Sequence, residues 1–252
     1  RHLGHYRRDP ARHRAFTTNS YYAYFRLKKD VQVDHWDEPA TRHICFPEGW
    51  MWFINVESWE QTPQDRLERM VDYFLDHGDA DEADVPTREQ VSDLFGCRSE
   101  RIVSVGFVVR DDHDSAAGLN ARDAFRHYVE KYPGVAKVME NYELIETPYE
   151  GRPPYGSFRD LVHDSTQFAG DGWVTVGDAA AFVNPLFSPG LNLGSGGCYM
   201  AARDTVDALN RGDVGRRRFS RFEKYMEEIY SALISETDLY YRSFRHVDSF
   251  EW

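Results

Sequence analysis

One stretch, from Gly172 to Gly197, constrains the fold more than any other part of this 252-residue chain. An apolar run, Trp173 to Val176, is typical of a buried strand, and it stops at Gly177-Asp178. A turn at Pro185 follows, and a helical pattern begins after Gly190. The first N–H groups of a helix have no partner within it and carry a partial positive charge. The stretch therefore predicts a ligand-binding turn.

Small residues recur along this helix at spacings of three and four. They give the helix one smooth side, against which another backbone or a flat ligand can lie. These residues are Gly190, Gly194, Gly197 and Ala201. The residues expected to face the core are Tyr199, Ala202, Val206 and Leu209, and the helix is predicted to end at Gly212.

The string from Gly177 to Gly190 reads Gly-Asp-Ala-Ala-x-Phe-x-x-Pro-Leu-Phe-Ser-x-Gly. It resembles the second flavin-binding motif of FAD monooxygenases, in particular the flavin-dependent halogenases. The resemblance implies that Asp178 accepts hydrogen bonds from the ribityl hydroxyls of FAD, and that the turn from Pro185 to Asn192 lies along the isoalloxazine. The implied cofactor contacts are Gly177, Asp178, Pro185, Ser188, Gly190, Leu191 and Asn192. A glycine-rich turn packed for structure alone is the alternative.

A second string, Trp50-Met-Trp-Phe-Ile-Asn55, resembles the Trp-x-Trp-x-Ile-Pro signature of the same halogenases, with asparagine in place of the proline. The resemblance implies that Trp50 and Trp52 stand on the substrate side of the flavin, as does Phe187. The alternative is an ordinary half-buried aromatic strand. Further candidates for the substrate wall are Tyr149, Tyr155 and Phe158.

The resemblance implies a halogenase-like FAD oxidoreductase that acts on a phenol- or pyrrole-type aromatic substrate, free or carrier-bound, through a flavin C4a-hydroperoxide. It also implies a separate flavin reductase or NAD(P)H as the electron source. Pro189, however, has no N–H where the family places a donor to halide, so a halide site would rest on Ser188 and Gly190. An FAD-dependent hydroxylase, another flavin oxidoreductase without halide chemistry, and a non-catalytic partner-binding fragment remain alternatives. No catalytic residue is assigned, because the family's lysine has no counterpart in this chain.

We expect an α/β fold with α+β character. Residues 1–165 are predicted to form a substrate-side domain with a mixed or antiparallel sheet and a helical insertion at 57–100. Residues 166–212 would be the second half of a doubly wound FAD-binding domain, and 213–252 a C-terminal helical segment. No Gly-x-Gly-x-x-Gly follows a strand, so the pyrophosphate site is expected in a missing N-terminal half, in the same or a separate chain.

Hydrophobic periodicity places the individual elements. Strands are predicted at Ser20–Leu27, Thr41–Phe46, Trp50–Val56, and Arg101–Val109 with an interruption at Gly106. Extended strands that line a cavity are expected between Tyr142 and Arg159. Helices are predicted to begin at Thr62-Pro63, at the capping box Thr87–Gln90, at Asn120, after Pro133 and at Arg217. The apolar stripe of the last helix, from Phe219 to Leu233, is expected to be core or a partner surface.

Composition excludes several other classes of protein. Hydrophobic residues make up 41% of the chain and aromatic residues 15%, which indicates a folded globular protein. No apolar run approaches the ~20 residues of a membrane span. The net charge of −12 argues against a general nucleic-acid partner. Cys45, Cys97 and Cys198 are too few for a disulfide framework or a metal site, so a cytoplasmic setting without metal is expected. Asp111–Asp114 contains acidic residues and a histidine, but adjacent side chains of an extended segment point in opposite directions. This segment is therefore predicted to be a turn.

Overall fold

The computed structural model describes residues 6–7, 17–33, 40–58, 62–76, 86–97, 100–146, 151–159, 161–186, 188–244 and 246. The strands are β1 (Tyr6–Arg7), β2 (Thr18–Leu27), β3 (Thr41–Phe46), β4 (Gly49–Ser58), β5 (Glu100–Arg110), β6 (Tyr142–Leu144), β7 (Tyr155–Phe158), β8 (Asp164–Ser165), β9 (Ala169–Gly170) and β10 (Trp173–Val174). The helices are α1 (Gln64–Asp76), α2 (Arg88–Phe95), α3 (Ala121–Lys131), α4 (Pro133–Met139), α5 (Pro189–Asn210) and α6 (Ser220–Ser243).

An antiparallel sheet forms the centre of the fold. Its strand order is β3-β4-β5-β2-β6, and β7 pairs with a second part of β2. β3 and β4 form the predicted hairpin, with Phe46 opposite Gly49. Position 49 requires glycine, because a Cβ atom there would lie 2.0 Å from the carbonyl oxygen of Val108 on β5. The predicted antiparallel sheet is confirmed, and so are the C-terminal helices.

Side chains alternate between the two faces of this sheet, as the two-residue period of a strand requires. One face is covered by α3 and α4. Its core contains Tyr21, Ala23, Phe25, Phe46, Met51, Phe53, Val103, Val105, Phe107, Val109, Phe125 and Tyr128. The opposite face carries Trp50 and Trp52, and we call it the tryptophan face. At its Trp50 end it packs against α6, residues 180–186 and Leu193. The tryptophan face is thus the side of the sheet that meets the predicted ligand-binding turn.

The turn after β5 buries one carboxylate, that of Asp114. It accepts hydrogen bonds from Nδ2 of Asn19 at 2.8 Å, from the hydroxyl of Tyr21 at 2.6 Å and from the hydroxyl of Tyr128 at 2.8 Å. Burial and the hydrogen bonds to Asp114 raise the pKa of both tyrosines. Because these donors come from β2 and α3, the carboxylate joins the sheet to its helical cover. The prediction of a turn at Asp111–Asp114 is confirmed.

Helix α5 buries a different face from the one that its apolar residues predict. Tyr199, Val206 and Leu209 are 62%, 58% and 63% exposed, and Ala202 is exposed as well, so the prediction that they face the core is wrong. The buried positions are Leu193, Gly197, Ala201, Asp204 and Ala208. Small side chains let α6 approach closely. The buried carboxylate of Asp204 is satisfied by the Arg221 guanidinium at 2.7 Å and the N–H of Phe222 at 3.1 Å. The helix stops before Gly212, which has a positive φ of 62°, as predicted.

The other helices begin within three residues of the predicted positions. The largest difference is at α6, which begins at Ser220 after a 3-10 turn at Arg216–Phe219 instead of at Arg217. Thr87 and Gln90 form the predicted capping box at the start of α2, and the side chain of Asn120 caps α3. In α6 the predicted stripe is core, with Phe222 and Met226 fully buried. By contrast, α1 has no buried residue, and its apolar side chains remain at least partly exposed. Residues 57–100 thus contain both α1 and α2. The two helices meet through Tyr73 and Phe95, whose ring centroids are 5.5 Å apart, while Leu75 of α1 is 75% exposed.

Two strands differ from their predicted extent. β5 runs without interruption through Gly106, because the glycine makes room for the Trp52 side chain rather than breaking the strand. The strand predicted at Trp173–Val176 is only two residues long and pairs with β9 alone. No strand pair in the described part of the chain is parallel. The doubly wound part of the expected fold is therefore not contained in these residues.

The three cysteines are free thiols that differ in exposure. Cys97 is buried, Cys45 is half-buried, and Cys198 is exposed on α5. Burial raises the pKa of the Cys45 thiol to about 11. Within the residues that the structure describes, no helix is long and apolar enough to cross a membrane.

Candidate functional site

The predicted ligand-binding turn begins with a 3-10 turn, Gly177–Ala179, that follows β10. Gly177 has a positive φ of 57°, a conformation that favours glycine. The start of α5 packs directly on this turn. A Cβ atom at Gly190 would lie 3.7 Å from Oδ1 of Asp178, and one at Gly194 would lie 3.9 Å from the Cα atom of Gly177. The Gly177–Ala179 turn therefore packs against the smooth side of α5, as the small residues predict.

Asp178 presents a carboxylate to the surface at this junction. The side chain is exposed and accepts no hydrogen bond from any residue in the described ranges. Its backbone carbonyl is held instead, because it lies 3.0 Å from Nε2 of His163. The other ring nitrogen of His163 lies 3.1 Å from the carbonyl oxygen of Leu161. The carboxylate is thus anchored through its backbone and left free to accept hydrogen bonds from a ligand's hydroxyl groups.

A second turn, residues 184–188, leads into α5, and we call it the flavin turn. Oδ1 of Asn184 accepts a hydrogen bond from the N–H of Leu186 at 3.0 Å, and the N–H of Ser188 donates to the carbonyl of Pro185 at 2.9 Å. Ser188 has a positive φ of 54°, which is rare for a residue with a side chain. A residue stays in such a conformation only where the surrounding structure holds it there, and such residues are common at ligand sites.

The donors available to an anion at this turn are few. The N–H of Ser188 is occupied by Pro185, and Pro189, the first residue of α5, has none. The N–H of Leu191 donates to the Ser188 carbonyl at 3.1 Å. Of the predicted halide site, the Ser188 hydroxyl and the N–H of Gly190 remain, since a helix leaves its first N–H groups without intrahelical partners. Phe187 lies outside the described residues.

These residues fit the flavin that the motif implies. A free carboxylate suits hydroxyl groups, a glycine at position 190 leaves space beside it, and the start of α5 adds a partial positive charge. Leu191 is 76% exposed and Asn192 is exposed, so the outer surface of the first turn of α5 is open. Pro185 is half-buried and shapes the flavin turn. The site therefore offers what a reduced flavin requires: the Asp178 carboxylate as acceptor, space beside Gly190, and the positive end of the α5 dipole.

The two tryptophans of β4 have different environments. Trp50 is 2% exposed, and its indole N–H donates to the Tyr241 hydroxyl at 2.9 Å. Trp52 is half-buried, and its indole N–H donates to Oγ of Ser104 at 3.0 Å. Of the two predicted substrate-side tryptophans, Trp52 is the one that offers surface to a ligand. Trp50 joins the sheet to α6.

Trp52 belongs to a row of three aromatic rings on the tryptophan face, which we call the aromatic floor. The ring centroids of Trp52 and Tyr22 are 6.3 Å apart, and Tyr22 stacks on Phe158 at 5.6 Å with an interplanar angle of 14°. Glycines lie beneath two of the rings. A Cβ atom at Gly106 would lie 2.3 Å from Trp52, and one at Gly156 would lie 2.3 Å from Tyr22. Glycine at these positions lets the rings lie against the sheet.

A surface cleft of about 710 Å³ borders the aromatic floor. It is lined by Tyr22, Tyr24, Ala121, Arg152, Pro153, Pro154, Tyr155, Gly156, Ser157 and Phe158. The predicted cavity beside residues 142–159 is therefore present. Phe158 is 54% exposed in it, whereas the ring of Tyr155 packs against Phe125 on the α3 side of the sheet. Tyr149 lies outside the described residues. The sequence analysis missed Tyr22, although the alternation in Tyr21-Tyr-Ala-Tyr24 places it on the face opposite Tyr21.

His43 is the titratable group beside Trp50. The centroids of the two rings are 5.0 Å apart. Burial lowers the pKa of His43 below its usual value, so the imidazole is neutral at pH 7. The sequence analysis missed this histidine because its position on β3 becomes informative only when the strand pairing is known.

The aromatic strand, the Asp178 turn and the glycine-rich start of α5 lie together in the fold, and most of the homologues and structural neighbours of the chain are flavin-dependent halogenases. The chain is 36% identical over 205 residues to the flavin-dependent halogenase malA of Malbranchea aurantiaca, an alignment that covers 76% of the chain and 31% of malA. It is 26% identical over 144 residues to the 1H-pyrrole-2-carbonyl-[peptidyl-carrier protein] chlorinase of Pseudomonas fluorescens, with 57% of the chain and 30% of that protein covered.

The fold is that of solved halogenase structures. The crystal structure of the halogenase PltM in complex with phloroglucinol and FAD matches 96% of the chain and 41% of the PltM chain, with a TM-score of 0.64 and 18% identity. No protein-family model matches the chain. The chain spans about a third of the length of the curated relatives. The comparisons confirm the predicted flavoprotein oxidoreductase family and FAD as its cofactor.

Proposed function

We propose that this chain forms the substrate side and part of the flavin site of an FAD-dependent halogenase that acts on a small aromatic compound. The observation that carries the proposal is the unpartnered carboxylate of Asp178 beside Gly190 at the start of α5. Residues 166–212 are the flavin-binding part in this proposal, and the pyrophosphate of FAD is held by polypeptide outside the 252 residues. Residues 1–165, with the helical insertion at 57–100, form the substrate side, and 213–252 form the helical support.

Each residue of the turn has a role in holding FAD. The Asp178 carboxylate accepts hydrogen bonds from ribityl hydroxyls, and Gly177 and Gly190 keep the approach free of side chains. Pro185, Ser188, Leu191 and Asn192 line the isoalloxazine. The partial positive charge at the start of α5 stabilises the negative charge of the reduced ring. When bound and reduced, FAD would supply the activation of O2 that the oxidation of halide requires. The electrons would come from a separate reductase or NAD(P)H.

The aromatic floor receives the substrate. Tyr22 and Phe158 line the cleft, and Trp52 lies beside Tyr22. A planar phenol or pyrrole gains offset stacking on such aromatic rings. The chlorinase relative is named for a pyrrole on a peptidyl carrier protein, which supports a pyrrole-type or carrier-bound substrate. The open cleft beside the floor leaves room for the arm of a carrier.

A flavin-dependent hydroxylase without halide chemistry is the second candidate. It is favoured by the shortage of anion donors, because Pro189 lacks an N–H and that of Ser188 is already used. The two functions differ in their products. A halogenase yields a product whose mass depends on added bromide, whereas a hydroxylase yields the same product in every halide. A non-catalytic fragment would produce neither.

The flavin assignment is tested with Asp178→Ala in the enzyme that contains this chain. Loss of charge-assisted hydrogen bonds to the ribityl chain should weaken FAD binding by about 1–3 kcal/mol. Asp207→Ala is the matched control, because Asp207 lies at the far end of α5 in an exposed ion pair with Arg211. FAD affinity is measured by fluorescence titration. Equal affinity in the two variants would count against the proposed role of Asp178.

A further inference from the structure

A chain of buried hydrogen bonds links β4, the flavin turn and α6. The Tyr241 hydroxyl accepts from the indole N–H of Trp50 at 2.9 Å and from Nδ2 of Asn184 at 3.1 Å. The same Nδ2 lies 3.3 Å from Oγ1 of Thr18 on β2. None of these four residues is more than 2% exposed.

Burial makes this arrangement costly to disrupt. A buried donor that loses its acceptor has no water to replace it, so it retains the full desolvation penalty. Removing the Tyr241 hydroxyl would leave the indole N–H of Trp50 without its acceptor and take one acceptor from Asn184. Burial also raises the pKa of Tyr241, so the group is a neutral hydroxyl over the whole working range of pH. Its function in the network is to accept two hydrogen bonds in a fixed geometry.

The other end of Asn184 shapes the flavin turn. Its Oδ1 accepts from the N–H of Leu186, and the adjacent Pro185 carbonyl accepts from the N–H of Ser188. An amide whose two ends are both held cannot rotate without breaking a buried hydrogen bond. The position of the Tyr241 hydroxyl therefore fixes the orientation of Asn184, and Asn184 fixes the turn that delivers Ser188 to the start of α5.

A second attachment holds this part of α6 against the sheet. Asp238, three residues before Tyr241, lies 3.7 Å from the guanidinium of Arg110 on β5 and 2.5 Å from that of Arg242. The side chains of Arg110 and Asp238 are only 11% and 13% exposed. Because α6 is attached to β5 one turn before Tyr241, the hydroxyl is presented to Trp50 and Asn184 by a rigid element.

We propose that Tyr241 is a positioning residue that holds the flavin turn in register with the tryptophan strand. This inference rests on the proposed function, in which the flavin turn contacts FAD and the tryptophan strand carries part of the substrate surface. Trp50 lies two residues from Trp52 of the aromatic floor, and the two rings are 6.1 Å apart. A single hydroxyl on the C-terminal helix thus sets the relation between the flavin and the substrate surface, although it touches neither.

The test compares Tyr241→Phe with Tyr225→Phe. Tyr225 lies on the same helix, and its hydroxyl contacts Gly196 of α5 rather than the flavin turn. Hydrogen exchange of the 184–188 peptide segment is measured first and does not require flavin. Tyr241→Phe should speed exchange there by about fivefold, the factor that corresponds to one net hydrogen bond, and Tyr225→Phe should leave it unchanged. Equal exchange in both variants overturns the inference.

A second readout separates positioning from general stability. In the FAD-bound enzyme, Tyr241→Phe should shift the visible absorption of the flavin and raise the KM for halide more than it lowers kcat, while Tyr225→Phe leaves both unchanged. If the unmodified enzyme binds no FAD, the proposed function is refuted. The hydrogen-exchange result decides the inference about Tyr241 in either case. If Tyr241→Phe does not fold, Trp50→Phe removes one donor and keeps an aromatic ring. Trp50→Phe should speed hydrogen exchange of the 184–188 segment by about twofold. An unchanged exchange rate would also overturn the inference.

Discussion

Gly106→Ala should displace the Trp52 ring from the aromatic floor. An alanine Cβ atom at position 106 would lie 2.3, 2.4 and 2.7 Å from three atoms of the indole. Carbon atoms in contact are about 3.5–4.0 Å apart, so the ring must move by roughly 1.2 Å or more. Such a shift also stretches the 3.0 Å hydrogen bond between the indole N–H and Ser104. The substitution therefore changes the shape of the surface to which the substrate is proposed to bind.

The expected cost follows from these contacts. Overpacking costs about 1–3 kcal/mol, and a weakened hydrogen bond adds up to ~1 kcal/mol. Alanine recovers ~0.5–1 kcal/mol because the unfolded chain is less flexible than with glycine. Trp52 is half-buried, so its ring can swing toward solvent and relieve part of the clash. We expect a net loss of roughly 1–2 kcal/mol in the free energy of unfolding, together with a red-shifted tryptophan emission.

The assay is urea denaturation followed by fluorescence, with Gly134→Ala as the control. A Cβ atom at Gly134, in α4, meets nothing within 4 Å, so this variant should be as stable as the parent or slightly more stable. In a Trp52→Leu background the Gly106→Ala cost should vanish, because the ring that clashes is gone. A Gly106→Ala protein that matches Gly134→Ala in stability and emission would refute the packing argument.

Two further predictions concern the anion site and pH. Pro189→Ser restores an N–H at the first position of α5 and should lower the KM for halide by about fivefold or more if the site binds halide. Halide-independent turnover in both proteins would favour the hydroxylase. His43 has a pKa lowered by burial, so below about pH 6.5 the unfolded chain takes up a proton that the folded chain does not. Stability should therefore be full above that pH and fall as the pH decreases, and His43→Gln should show a smaller fall in denaturation curves at pH 7.5 and 5.5.

Local signals in the sequence were enough to predict most elements of the fold. The capping box at Thr87, the cap at Asn120 and the hairpin at Gly49 are each specified by residues a few positions apart, and all are confirmed. The buried face of α5 could not be predicted in this way. Periodicity located an apolar stripe, but the face that α6 covers is the one with small residues and the Asp204 carboxylate, whose burial depends on Arg221 of another element.

The candidate site shows the same division. The Asp178 turn could be found from a contiguous string, because the ligand-binding residues of a helix start are neighbours in sequence. The partners of that turn are remote in the chain. Tyr241 lies 57 residues from Asn184 and 191 from Trp50, and no spacing rule connects such positions. Their association depends on how α6 packs across the sheet, which is a property of the assembled fold.

The unequal exposure of the three thiols provides a chemical handle on the site. Thiol reagents attack the thiolate, so a buried group or one with a raised pKa reacts slowly. Cys97 is buried and the pKa of Cys45 is raised to about 11, whereas Cys198 is exposed in the third turn of α5. A maleimide dye should therefore label Cys198 selectively without any engineered cysteine. Because Cys198 lies on the helix whose first turn is proposed to contact the isoalloxazine, the dye would report energy transfer to or from bound flavin.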